Sequence, residues 1–140
     1  MKNLLVALIA SAVACFALAT DLSSPAPEGA AVYFISPSDG ETVEQTFTVT
    51  FGLAGMGVAP AGVDKANTGH HHLLIDVDEM PDMTMPLPMS EHVVHFGGGQ
   101  TQTTLTLRPG THTLQLLLGN HLHVPHTPPV MSDKITVTVE

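Results

Sequence analysis

Three histidines stand close together in one short stretch, GNHLHVPHTPP, at residues 119–129. They are His121, His123 and His126. A second group opens the segment GHHHLLID, where His70 and His72 form another H-x-H pair. Alternate side chains of an extended chain point to the same side, so each pair directs two imidazoles one way. Neutral imidazole is a common ligand of zinc and copper, and these pairs therefore predict a metal site.

Copper is the metal that this donor set favours, with zinc as the alternative. The one cysteine of the chain, Cys15, lies in the apolar N-terminal segment. Imidazole without thiolate suits Cu(II), Zn(II) or Ni(II), and the stability order of divalent ions puts copper highest. His95 is a further candidate, either as a metal ligand or as a residue that forms a hydrogen bond to one of the ligands. The alternative is an exposed polar loop whose histidines have an ordinary pKa and no ligand.

A methionine-rich segment, MPDMTMPLPMSEH, is the second group with candidate metal chemistry. Its prolines exclude a regular helix or a central strand. Thioether sulfur selects the soft ion Cu(I), so the segment is a candidate second site for a soft metal. The alternative is that the thioethers pack onto the surface of the domain. The candidate ligands are Met80, Met83, Met85 and Met89.

The N-terminal residues 1–19 have the pattern of a secretory signal peptide. A lysine at position 2 precedes an apolar run, and Ala17-Leu18-Ala19 is a cleavage site of the A-x-A type. Cleavage after Ala19 predicts a periplasmic or secreted protein. Lipoprotein processing at Cys15 is less favoured, because the residues around this cysteine suit it poorly.

The composition of the remaining chain limits its partners. Three basic residues stand against thirteen acidic ones after residue 19, so the net charge is 3 − 13 = −10 with neutral histidines. This charge argues against nucleic acid and anionic membrane surfaces as partners, and it attracts cations. No further apolar segment is long enough to span a membrane. Without cysteine, the mature chain has no disulfide.

Alternation of apolar and polar residues predicts an all-β domain. Residues 20–30 are a polar segment with prolines, expected to be a flexible leader, and residues 31–140 form a single domain. The number and spacing of the strands predict an immunoglobulin-like antiparallel β-sandwich of about seven strands. The predicted strands cover residues 31–36, 46–53, 70–77, 92–96, 101–107, 111–119 and 134–140.

The topology of such a sandwich brings the histidines together. If strand 70–77 lies antiparallel to strand 111–119, the start of the first lies beside the end of the second. Strand 92–96 runs back toward this end of the sandwich. The methionine segment is expected at the opposite end, unless it folds back. The predicted metal ligands are His70, His72, His95, His121, His123 and His126.

Two other histidines, His71 and His112, fall on the faces that alternation assigns to the core. We expect them to be buried and hydrogen-bonded rather than to bind metal.

Three long motifs resemble those of a known family. They are GHHHLLID, HFGGGQT and LGNHLHVPHTPP, and the similarity extends over residues 31–139. The chain resembles small exported bacterial proteins that are classified as a domain of unknown function, number 4399. The resemblance implies a recurrent domain built around these motifs. It supplies no established activity. The methionines at 80–89 depart from the family pattern.

The sequence therefore predicts a periplasmic metal-binding protein, a carrier, buffer or accessory in copper handling. Its partners are the metal ion and, as a further hypothesis, another exported copper-handling protein. The first alternative is an interaction or pH-sensing module without metal. A copper or zinc enzyme is less favoured, because the sequence offers no clear general base beside the histidines.

Overall fold

Nine strands form the regular structure of residues 20–140. The computed structural model describes residues 20–140, and the predicted signal peptide, residues 1–19, lies outside them. Residues 20–140 contain no helix, so they include none that is long and apolar enough to cross a membrane. The strands are β1 (Ala31–Ser36), β2 (Thr42–Val43), β3 (Thr46–Ala54), β4 (Gly57–Val58), β5 (Thr68–Ile75), β6 (Val93–His95), β7 (Gln102–Thr106), β8 (Gly110–Gly119) and β9 (Ile135–Val139). The sequence does not predict β2 and β4, because each has only two residues, too few to show an alternation of apolar and polar side chains.

The strands form two sheets, and the predicted all-β sandwich is confirmed. One sheet has the order β1-β3-β7, and the other has the order β2-β9-β8-β5-β4 with β6 also paired to β5. All pairings are antiparallel except those of the two short strands, since β2 is parallel to β9 and β4 is parallel to β5. The order of the longer strands is that of an immunoglobulin-like sandwich.

The main core lies between the two sheets and is built by alternate residues of the strands. On β8, Leu114, Leu116 and Leu118 are fully buried in it. On β5, Leu73 and Ile75 face the same core. Burying such a side chain contributes about 1.5–3 kcal/mol relative to leaving it exposed. Because the odd-numbered residues of β5 are held inward, its even-numbered residues point to the outer face of the sheet.

The register of β5 brings three strand ends together. As predicted, β5 and β8 are antiparallel, and His70 lies opposite Gly119. On the other side of β5, β6 is antiparallel and places His95 opposite His72. The beginning of β5 therefore meets the ends of β6 and β8.

A second, smaller group of apolar side chains covers the outer face of this sheet. Leu74 of β5 and Leu117 of β8 pack there with Leu87 from the loop 76–92. The backbone N–H of Leu87 also donates to the carbonyl of His123 at 2.9 Å. We expected this loop at the opposite end from the histidines, with folding back as the alternative. The structure shows that it folds back.

The segment before β1 is attached to the domain, which departs from the expected flexible leader. The N–H of Ala26 donates to the carbonyl of Thr127 at 3.0 Å, and the N–H of Thr127 donates to Ser24 at 2.9 Å. The side chain of Asn120 donates to the carbonyl of Leu22 at 2.9 Å. Composition alone does not reveal these bonds, because their partners lie about a hundred residues away in sequence.

Candidate metal centre

Two of the candidate ligands, His70 and His72, come from the outer face of β5. Because side chains alternate along a strand, both rings point away from the main core. Their centroids lie 4.6 Å apart. Both side chains are fully buried. β5 thus places two imidazoles side by side in a solvent-excluded position.

His95 of β6 joins them from the neighbouring strand. It lies directly opposite His72 in the antiparallel register, and residues paired in this way have side chains on the same face. The ring centroids of His95 and His72 are 4.5 Å apart in an edge-on arrangement. Pairing of two strands is therefore enough to bring the third imidazole to the site.

His123 reaches the site from the turn after β8. Its backbone has φ 65°, in the left-handed region that few non-glycine residues adopt. The buried Asn120 holds this turn, because its Oδ1 accepts hydrogen bonds from the N–H groups of Leu122 at 2.9 Å and Val124 at 3.0 Å. The N–H of His123 donates to the Asn120 carbonyl at 2.9 Å. These bonds fix the direction in which His123 leaves the backbone.

The His123 ring completes a group of four. Its Nδ1 lies 3.0 Å from Nε2 of His70, so one of the two nitrogens donates an N–H to the other. Its centroid lies 4.7 Å from that of His95 and 5.8 Å from that of His72. We call these four residues the histidine cluster: His70, His72, His95 and His123.

Gly119 provides the space for one of the rings. A Cβ at this position would lie 2.4 Å from Cε1 of His72 and 3.0 Å from its Nδ1. Any larger residue would push the His72 ring out of place. Sequence reasoning missed both Gly119 and Asn120, although they directly precede the H-x-H pair in GNHLH.

Three members of the histidine cluster have the spacing of metal ligands. One donor nitrogen from each of His70, His72 and His123 lies within 4.8 Å of the other two. In a tetrahedral site with metal–nitrogen bonds of about 2.0–2.1 Å, neighbouring nitrogens are about 3.4 Å apart. Small ring movements would close this difference. These three residues could hold a metal ion, and the adjacent His95 offers a fourth donor.

Most ring nitrogens of the histidine cluster have no hydrogen-bond partner in the protein. The unpartnered buried atoms are Nδ1 of His70 and both ring nitrogens of His72 and His95. Such atoms are rare in protein interiors, because a buried polar group without a partner costs free energy. A neutral imidazole has one N–H and one lone pair, so one nitrogen of each ring is available to a metal ion.

Burial keeps the imidazoles neutral. It lowers the pKa of His72 to about 2 and the pKa of His70 to about 4, and neighbouring histidine charges act in the same direction. Burial also lowers the pKa of His95, and the nearby backbone of Pro88 and Leu87 acts in the opposite direction. A metal ion binds the neutral form, so no proton has to leave these rings at neutral pH.

Two of the predicted ligands, His121 and His126, do not join the histidine cluster. Nδ1 of His121 lies 3.5 Å from a carboxylate oxygen of Asp64. His126 is buried, and its ring nitrogens face the carbonyls of Thr68 at 3.1 Å and Leu118 at 3.4 Å. The expectation assumed an extended loop. The left-handed turn at His123 breaks the period of two, so the second H-x-H pair does not point one way.

His71 and His112 differ from each other in their surroundings. His71 is fully buried, as alternation predicts, and its ring centroid lies 5.1 Å from that of Phe51. Among residues 20–140, no hydrogen-bond partner of its ring nitrogens is found. His112 is partly exposed, and its Nδ1 lies 2.7 Å from Asp76. This hydrogen bond raises the pKa of His112.

The four methionines of the candidate soft-metal site are divided between packing and exposure. Met83 packs against the second apolar group on the outer face of the sheet. Met80, Met85 and Met89 are exposed, and Met89 keeps 76 % of its surface accessible. Three thioethers are therefore open to solvent, and Met83 would have to leave its packing to bind a metal with them.

Comparison with known families identifies the domain. Residues 49–140 match the family model described as a domain of unknown function, DUF4399. The chain belongs to the DUF4399 family. The matched DUF4399 region begins within β3 and contains the whole histidine cluster together with Gly119 and Asn120. No curated protein and no solved structure matches the chain.

Proposed function

We propose that this DUF4399 protein binds one transition-metal ion in the histidine cluster, with copper favoured and zinc as the alternative. The proposal is supported above all by His70, His72 and His123, whose donor nitrogens lie within 4.8 Å of one another. With the signal peptide expected at residues 1–19, the protein acts in the periplasm or outside the cell. Its role is that of a carrier, buffer or accessory in metal homeostasis, and another exported copper-handling protein is its proposed partner.

A metal ion accounts for an arrangement that is otherwise unfavourable. Four imidazoles converge, and five of their eight ring nitrogens are buried without a partner. A metal ion that takes up one lone pair from each ring offsets part of the free energy lost by burying these polar atoms. Imidazole without thiolate is suited to copper and zinc, and the stability order of divalent ions favours copper.

A pH-sensing role has less support than metal binding. A sensor has to change its charge near neutral pH, in the range of about pH 5–8 where unperturbed histidine titrates. The pKa values of His70 and His72, about 4 and about 2, lie below this range. His70 and His72 therefore stay uncharged where such a sensor would respond.

Catalysis also has less support than binding. A hydrolytic metal centre needs an open coordination position and a group that accepts a proton. In the described part of the chain, the group of candidate ligands contains histidines and no carboxylate. Four imidazoles around one ion suit storage or transfer of the metal.

Metal retention by the mature chain tests the proposal. Residues 20–140 are mixed at neutral pH with one equivalent of copper or zinc and passed through a desalting column. We expect the ion to stay with the protein, and we expect His123→Asn to weaken binding by about a hundredfold or more, because a ligand is lost. Asparagine tolerates the left-handed backbone at this position, so the turn is retained.

His121→Asn is the matched control in the same turn. Its ring lies beside Asp64 and outside the histidine cluster, so metal affinity is expected to remain at the wild-type level. Failure of the wild-type chain to retain either ion would contradict the proposal. Equal loss of affinity in the two variants would contradict the assignment of His123 as a ligand.

A further inference from the structure

We infer that the histidine cluster is built for a monovalent ion, Cu(I), in preference to Cu(II) or Zn(II). This inference rests on the proposed metal-binding function and adds the charge of the ion to it. Two features of the site carry it. The donors have no negative charge, and two of them, His70 and His72, are fully buried.

The histidine cluster lacks a counter-charge for a dication. The charged groups that act on His70, His72 and His95 are other histidines, and no carboxylate of residues 20–140 is among them. Asp64, which pairs with His121 in the adjacent turn, is largely exposed. Four neutral imidazoles would leave a net charge of one on a site holding Cu(I), and of two on a site holding Zn(II) or Cu(II).

Burial makes this difference in charge costly. His70 and His72 are fully buried. On the same face of the sheet, the next side chain of β5 is that of Leu74, which is paired with Val93 of β6. The free energy of moving an ion from water into such surroundings rises with the square of its charge, so a dication costs about four times as much as a monocation. No carboxylate acts on these histidines to offset the extra cost.

The loop that covers the histidine cluster adds an independent observation. Leu87 of this loop is hydrogen-bonded to the carbonyl of His123. Met85 and Met89, two positions to either side of Leu87, are exposed. Thioether sulfur binds Cu(I) and is a poor ligand for Zn(II). Soft donors therefore stand on the segment that is hydrogen-bonded to the backbone of His123.

Competition with chelators of known affinity measures the preference. The mature chain is supplied with Cu(I) under anaerobic reducing conditions, with Cu(II) without reductant, and with Zn(II), each in a separate titration. We expect Cu(I) to be bound more tightly than Zn(II) by about a thousandfold or more, and more tightly than Cu(II). Tighter binding of either divalent ion overturns the inference and leaves the proposed function intact. If no ion is bound at all, both fail.

A pair of variants separates charge from ligand loss. His95→Asp and His95→Asn remove the same imidazole from β6 and differ by one negative charge. We expect the ratio of Zn(II) to Cu(I) affinity to be about tenfold or more higher in the Asp variant than in the Asn variant, because the carboxylate compensates the dication. His95 is only partly buried on a short strand, so both variants are expected to fold. Equal ratios in the two variants would overturn the inference.

Discussion

Asn120 determines where the ring of His123 can lie. Its side chain uses both ends, since Oδ1 accepts from two N–H groups of the turn and Nδ2 donates to the carbonyl of Leu22 and to Oγ of Ser24. One buried amide thus joins the segment before β1 to the turn that carries a candidate ligand. At the residue scale, the site depends on this positioning residue as well as on its histidines.

Replacing Asn120 by alanine is expected to weaken both the fold and the site. Two backbone N–H groups would lose their acceptor, which lowers the free energy of unfolding by about 2 kcal/mol or more. Metal affinity should fall as well, because the left-handed turn at His123 is no longer held. Urea unfolding and metal titration of the same sample measure the two effects.

Asn120→Asp is the control for this prediction. Aspartate keeps the oxygen that accepts from Leu122 and Val124 and loses the donor to Leu22 and Ser24. It should retain more metal affinity than the alanine variant, although the bonds to the leader are lost. If both variants bind metal as the wild type does, Asn120 has no part in positioning His123.

The loop 76–92 belongs to the element scale, because it connects β5 to β6 and covers the face where both strands carry histidine. The loop is attached to the sheet mainly through apolar side chains. Leu87 and Met83 pack on the outer face with Leu74, Val93 and Leu117. The sequence does not show which thioethers are packed and which are exposed. The prolines exclude a regular helix or strand, so no side-chain periodicity indicates which methionines are buried.

Met83 and Met89 are expected to respond differently to truncation. Met83→Ala removes part of the packing on the outer face and should lower the free energy of unfolding by about 1–2 kcal/mol. Met89→Ala should change it by less than about 0.5 kcal/mol, because that side chain is exposed. Denaturant unfolding of metal-free protein measures both. Equal destabilisation by the two substitutions would show that Met83 does not anchor the loop.

At the scale of the whole molecule, the buried histidines couple stability to pH. Above pH 6.5 these imidazoles are neutral in the folded and the unfolded chain. Below it, the unfolded chain takes up protons that the folded chain does not, until the pH reaches the folded pKa of about 4 for His70 and about 2 for His72. The free energy of unfolding should therefore decrease as the pH falls, by about 1.4 kcal/mol per pH unit for each such histidine.

Urea unfolding of the metal-free chain between pH 7.5 and pH 5 measures this dependence. His72→Asn removes one of the titrating groups and should show a smaller slope over the same interval. A slope identical to that of the wild type would mean that His72 is not held neutral by the fold.

Much of this arrangement follows from local sequence. Alternation assigns Leu73 and Ile75 to the core, and His70 and His72 to the opposite face, because the side-chain period of a strand is two. The order of strands in a sandwich then predicts that the start of β5 lies beside the end of β8, as observed. The position of His95 at the same end of the sandwich follows from the same reasoning. These predictions succeed because each depends on a regular element.

The failures lie where the chain is irregular. His121 and His126 lie within three positions of His123 in the sequence, yet His121 faces Asp64 and His126 faces two backbone carbonyls. The leader is likewise placed by several hydrogen bonds to residues distant in sequence, and the methionine loop by apolar contacts and the hydrogen bond of Leu87.

The sequence by itself determined the sandwich, the face on which His70 and His72 lie, and the membership in the DUF4399 family. Only the tertiary structure decided which imidazoles meet, that His70 and His72 are buried, and that the loop 76–92 folds back onto the outer face of the sheet. The physical reason is that strand periodicity is a local property of the backbone. The direction of a side chain on a turn depends instead on hydrogen bonds to residues far away in sequence, here those of Asn120.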